Sequence, residues 1–234
     1  MAEQTDILEA SIVLLGSFNP AIFSPAWFRM NDLISEGEFN ASETKVVHPQ
    51  VAQFSVEHLT VTAEPGKFIL AVTSDPTVRI ADLCVRLFRD LLPHIPVSAV
   101  GINYGEHWKS DTWQRRVALG RALAPIGPWG EWGKHMRESP PELIGGMVNL
   151  AMQQPLDDGR DGHRRVSIEP SIELTDKFRG IHMLVNRHEN IKANEGEGAY
   201  RAVELIAAHF DESIAIAKKV IEGMRVFAAT LDVQ

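Results

Sequence analysis

The chain has 234 residues, 44% of them hydrophobic and 23% charged, an ordinary balance for a globular protein that can bury a sizeable core. Its formal net charge of −8 argues against a nucleic-acid surface or an anionic membrane as the main partner. The lone cysteine, Cys84, rules out an intramolecular disulfide and fits a reducing compartment, so a cytoplasmic location is expected.

Residues 1–10 read as a loose lead-in whose acids (Glu3, Asp6, Glu9) do not make the positive start of a signal peptide. No apolar run approaches the roughly 18 residues of a membrane span. Ser11 to Phe18 predicts a short buried strand. Ser24 is placed to cap a short helix over Pro25 to Ile34, with Trp27, Phe28 and Leu33 facing inward. Gly37 to Pro49 is polar and turn-rich and reads as a loop.

Val51 to Leu92 carries the clearest pattern. QFSVEHLTVTA is rich in β-branched residues and reads as one half-buried strand. Glu64-Pro65-Gly66-Lys67 predicts a type II turn, with positive φ at Gly66, and Phe68 to Val72 is the return strand. Asp75 and Pro76 are expected to start a helix whose apolar face is Ile80, Leu83, Cys84, Leu87, Phe88 and Leu91. Pro93 and Pro96 end it.

Val97 to Tyr104 alternates as a strand, with Gly105 to Ser110 leaving it, and Thr112 to Ala124 reads as a helix. The glycine- and proline-rich stretch from Pro125 to Gly133 reads as a loop bearing Trp129 and Trp132. Leu143 to Gln153 predicts a strand, because Gly145-Gly146 would cost a helix about 1 kcal/mol each. Pro155 to Gly162 is an exposed loop, and Arg164 to Glu173 is a strand with an edge or bulge at Pro170. Arg179 to Glu189 is a strand with Ile181, Met183 and Val185 on one face and His182, Leu184, Asn186 and His188 on the other. Val203, Ile206, Ala207, Phe210, Ile214, Ala217, Ile221 and Met224 mark a long terminal helix.

The order strand–strand–helix thus occurs twice. It predicts an α+β fold: a mainly antiparallel sheet with helices on one face, in two related halves, 1–125 and 126–234, sharing one continuous sheet.

No catalytic signature appears. The nine histidines include no HExxH and no HxH, and His182 and His188, six strand residues apart, are about 20 Å from each other, too far for one ion. No metal, cofactor or catalytic residue is therefore expected. GxSxG and phosphate-loop glycine patterns are absent, and Gly196-Glu197-Gly198 reads as a hinge. Arg164 and Arg165, with Arg160 and His163, form a small basic cluster suited to an acidic group. Four of the five tryptophans fall between Asn103 and Trp132. Tyr104, His107, Trp108, Trp129 and Trp132 are the candidate binding residues, because clustered aromatics supply large contact areas with polar handles.

Three segments carry a resemblance: QFSVEHLTVT, the strand entering Gly101-Ile102-Asn103-Tyr104, and His209-Phe210 followed by Asp211-Glu212-Ser213-Ile214. Together they resemble a sporadically distributed family of uncharacterised bacterial proteins. That family has Arg-Tyr where this chain has Asn103-Tyr104. The resemblance implies an accessory protein of a mobile or defence-type bacterial locus, and it transfers no active site. The expected function is a non-enzymatic binding protein, probing a protein partner or its own copies through an aromatic surface. The alternative is a small-molecule sensor or small enzyme with a pocket at the seam of the halves, using Glu106 and His107.

Overall fold

The computed structural model describes residues 5–138, 146–157, 159–192 and 198–232. Among them lie nine strands: β1 (Thr5–Gly16), β2 (Glu43–His48), β3 (Val51–Val56), β4 (Leu59–Glu64), β5 (Lys67–Val72), β6 (Val97–Lys109), β7 (Leu150–Pro155), β8 (Gly162–Pro170) and β9 (Gly180–Asn190). They form one antiparallel sheet in the order β2-β3-β4-β5-β1-β6-β9-β8-β7. The helices are α1 (Pro25–Met30), α2 (Glu36–Asn40), α3 (Val78–Arg86), α4 (Trp113–Leu123), α5 (Gly130–Glu138) and α6 (Tyr200–Thr230). The α+β class expected from the sequence is the observed one. None of the described helices is long and apolar enough to cross a membrane.

Strand alternation sets the two faces. Ile12 pairs with Leu70 on one side and Ile102 on the other, so three apolar side chains point to the same face. Phe54, Val61, Phe68, Val100 and Val185 extend that face and are buried. The helices cover it. Phe28 of α1 packs edge-on against Phe54 at 5.0 Å, and Phe23 lies 4.8 Å from Phe68. Phe88 sits 5.1 Å from Phe68, just after α3. From α6, Val203, Ile206, Phe210, Ile214, Ala217 and Ile221 are buried, as their spacing predicted, whereas Ala207 of the same stripe is exposed and Met224 half-buried.

The strand order repeats. After β1, the meander β2 to β5 runs inward from one edge and ends beside β1, and α3 follows. After β6, the meander β7 to β9 runs inward from the other edge and ends beside β6, and α6 follows. The two meanders join one continuous sheet through the β1–β6 pair.

Several local expectations need correction. The lead-in is strand from Thr5 onward, so β1 holds the centre of the sheet. QFSVEHLTVTA is two strands joined by a two-residue turn at Glu57-His58, with Glu57 in the left-handed region at φ 51°. Neither residue is Gly or Asn, so the usual turn signal was missing. The 64–67 turn forms as expected, with Glu64 opposite Lys67, but Gly66 does not take positive φ.

The expected loop at 37–49 holds most of α2, which a Ser35–Glu38 capping box starts, and the exposed edge strand β2. α3 begins at Val78 after Thr77, leaving Asp75 and Pro76 in the preceding turn. β6 runs on to Lys109, well past Tyr104. The glycine- and tryptophan-rich loop contains a 3-10 turn and the start of α5. Of the strand expected over 143–153, residues 143–145 lie outside the described residues, and pairing starts at Leu150. Gly196 and Glu197 of the expected hinge also lie outside them. Pro170 stands two residues beyond the last β7–β8 pair, where β8 has a free edge, as its ring requires.

Candidate functional site

β6 presents alternate residues to opposite faces, which separates the sequence-predicted cluster. Tyr104 and Trp108 point to the helix-covered face with Glu106, and all three are buried. The Tyr104 hydroxyl donates to Glu106 Oε1 at 2.7 Å, and Arg225 of α6 donates to Glu106 Oε2. The Arg225 guanidinium lies over the Trp108 ring, 5.0 Å from its centroid. Burial and the Glu106 carboxylate push the Tyr104 hydroxyl far above its ordinary pKa. This is an ionic clamp holding α6 on the sheet, and Glu106 does not share a site with His107.

Trp129 and Trp132 lie elsewhere, 60% and 61% exposed, with ring centroids 5.3 Å apart. Arg164 and Arg165 alternate as well. Arg164 is buried beside Arg187, whereas Arg165 is exposed opposite Asn186. They do not form one basic patch.

On the far face, β6 and its neighbours build a different constellation. His107 pairs directly across from His182 of β9, and Glu169 of β8 lies opposite His182 in turn. Glu9 of β1 faces Gly105, one step along. The two imidazoles stack almost parallel, with centroids 4.1 Å apart and planes at 9°. His182 is held at both nitrogens, with Nε2 2.9 Å from Glu9 Oε1 and Nδ1 3.2 Å from Glu169 Oε1. His107 is held by Ser171, whose Oγ lies 2.8 Å from Nδ1 and also accepts from the Leu174 N–H. Gly105 makes room for this packing. A Cβ there would stand 2.9 Å from Glu9 Oε1 and 3.0 Å from Leu184 Cδ1.

Two stacked imidazoles cannot both carry charge cheaply. Burial and the neighbouring His182 lower the His107 pKa. Burial opposes the charge on His182 too, but its hydrogen bonds to Glu9 and Glu169 outweigh that and raise its pKa. The hydrogen bond from His182 lowers Glu9, and a hydrogen bond from Asn149, reinforced by His182, lowers Glu169. The surroundings thus favour the charged form of His182, between two carboxylates, and the neutral form of His107 beside it.

These groups form the floor of a pocket of about 500 Å³. Ile7, Val148, Pro170 and Ile172 give it an apolar wall, and Glu173 adds a third carboxylate. A smaller cavity of about 230 Å³ lies between α4 and the β8–β9 end of the sheet, lined by Arg116, Leu119, Ile168 and Ile181. It shares Val148, Glu169 and Pro170 with the first but lacks the histidines.

Of the candidate residues chosen from the sequence, only His107 belongs to this site. Glu9 fell in the supposed lead-in and His107 in a segment thought to be leaving its strand. His182 lies on the strand face its alternation predicts, and its histidine partner stands across the sheet on β6. His188 sits at the other end of that face and stacks on His163, with centroids 5.0 Å apart. A readable signal existed: polar residues at alternating positions in three central strands mark a face that is not simply core. Neither a family model nor a curated protein matches the chain.

Proposed function

We propose that the protein is a small-ligand-binding protein, a sensor or accessory factor, whose site is the far-face pocket. One observation carries this reading: the Glu9–His182–Glu169 array, with His107 beside it, on the floor of a pocket with an apolar wall. Few convergent polar groups in an apolar concavity are what a ligand site requires. Three carboxylates among the lining residues favour a ligand that brings positive charge on a compact apolar body. Benzylamine and benzamidine are suitable probes. In a thermal-shift assay the reading expects a concentration-dependent rise in melting temperature for such probes, reduced in Glu169→Gln. Equal shifts in wild type and in Glu9→Gln/Glu169→Gln, or no shift at millimolar probe, would reject it.

A second reading rests on the exposed Trp129–Trp132 pair, which offers aromatic area for a protein partner. Its test is co-purification from the native host with wild type and with Trp129→Ala/Trp132→Ala. Identical partner recovery would dismiss it.

A further inference from the structure

We infer that the pocket floor is a divalent transition-metal site, with Glu9, His107 and His182 as the protein ligands and an open position facing the pocket. The inference rests on the reading of the far-face pocket as the ligand site and names an inorganic occupant for its floor. Among the described residues, these three offer donor atoms that all lie within 4.8 Å of one another.

The donor set is two imidazoles and one carboxylate, a combination suited to zinc and to neighbouring first-row ions. Its local spacing fits. Ligand bonds of about 2.0–2.2 Å meeting at right to tetrahedral angles put neighbouring donor atoms about 2.9–3.4 Å apart. His182 Nε2 and Glu9 Oε1 stand 2.9 Å apart. The wider envelope of the full set requires the His107 ring to turn out of its stack toward the ion.

The outer contacts are the stronger argument. A metal-bound imidazole normally uses its other nitrogen to donate to a carboxylate or another oxygen, which fixes ring and tautomer. Both rings have that arrangement. His182 Nδ1 faces Glu169 Oε1, and His107 Nδ1 faces Ser171 Oγ, which is itself anchored by the Leu174 N–H. The Nε2 atom of each ring is then the ligand. His163 and His188 also stack on this face, but the comparable arrangement is missing there. The His188 Nε2 contact is the Asn190 side chain, and among the described residues that pair has no third donor grouped with it.

Three strands supply the ligands and a fourth supplies Glu169, so the ion would tie β1, β6, β9 and β8 together. Three protein ligands leave a coordination position open. The pocket above that position gives room for a water or for a donor atom of a bound molecule.

The test uses the full chain, freed of metal by chelation, and titrates Zn²⁺ and Co²⁺ by calorimetry. One ion per chain is expected, and bound Co²⁺ should show visible d–d absorption. The bound Co²⁺ should also give hyperfine-shifted exchangeable proton signals from two imidazoles, a readout on unaltered protein that does not depend on any variant folding. His107→Ala, His182→Ala and Glu9→Gln should each weaken binding by more than tenfold. Glu169→Gln should weaken it by roughly 10-fold through the orientation of His182. His163→Ala/His188→Ala should bind like wild type.

Binding that is unchanged in His107→Ala/His182→Ala, lost equally in His163→Ala/His188→Ala, or accompanied by no shifted imidazole signals would overturn the assignment. The same metal-free protein is also challenged with benzamidine. A benzamidine shift without ion binding refutes the metal site and leaves the pocket reading standing. Ion binding without any organic ligand does the reverse. The absence of both responses refutes both.

Discussion

Replacing Arg225 by methionine removes one half of the clamp between α6 and β6 while leaving most of the stem volume over Trp108. Arg225 and Glu106 each keep only 8% side-chain exposure. Without the guanidinium, Glu106 retains the Tyr104 hydroxyl but loses its buried cationic partner. Breaking one side of a buried pair costs about 3–5 kcal/mol, because the remaining charge is stranded away from water. Unfolding entropy for a chain of this length converts each kcal/mol into about 2 °C, so the melting temperature should fall by roughly 6–10 °C. Glu106→Gln should also destabilise, since Arg225 then loses its buried carboxylate, and Glu222, at 3.8 Å, is far more exposed. The double variant Glu106→Gln/Arg225→Met has no stranded charge, and its loss should be well below the sum of the two single losses. Urea unfolding monitored by circular dichroism measures all three. A loss under about 1 kcal/mol for Arg225→Met, or strict additivity in the double variant, would show that the pair is not a buried, coupled clamp.

Three other predictions follow from the packing and the charges. Phe68→Ala, which opens the cluster joining Phe18, Phe23 and Phe88, should cost about 3–5 kcal/mol in urea unfolding. Gly105→Ala should push the Glu9 carboxylate and the Leu184 methyl aside, costing about 1 kcal/mol because both are movable side-chain ends. In that variant the His182 pKa, read from ring signals in NMR, should move back toward its ordinary value.

The two site histidines should also make metal-free stability depend on pH in opposite senses. His182 favours its protonated form in the fold, so its contribution is full below about pH 6.5 and is lost as pH rises through its raised folded pKa. His107 favours its neutral form, so its contribution is present above about pH 6.5 and is lost as pH falls through its lowered folded pKa. His182→Gln should remove the loss on the alkaline side, and a wild-type slope in that variant would contradict the assignment.

Where periodicity was strong, the fold could be read directly. The stripe of α6, the face of α3 and the alternation of β9 needed only spacing, because each buries one side against a common core. The misreadings came where local chemistry was neutral. Glu57-His58 turns the chain without glycine, and β2 is exposed at all six positions, so it carried no apolar alternation. The site was harder still. Glu9, His107 and His182 are unremarkable in their own segments and become neighbours only through the β1–β6–β9 pairing. His107 drew attention because tryptophans surround it in sequence, yet strand alternation sends it away from Tyr104 and Trp108. The aromatic cluster of the sequence is therefore divided between a buried clamp and an exposed pair spanning the 3-10 turn and α5.

The central place of β1 has a consequence for how the molecule is made. Its final neighbours, β5 and β6, are both translated after it, and β9, which completes the histidine pair, ends about 170 residues later than β1. At roughly 5–20 residues per second, the ribosome needs roughly 10–35 s to cover that distance. β1 gains both its neighbours once β6 is made, but for the rest of that interval β6 has an unpaired edge and the apolar side of the sheet lacks its terminal helix. Nascent chains stalled before residue 180 should therefore be the form that chaperones hold most tightly, and the pocket can form only near the end of synthesis.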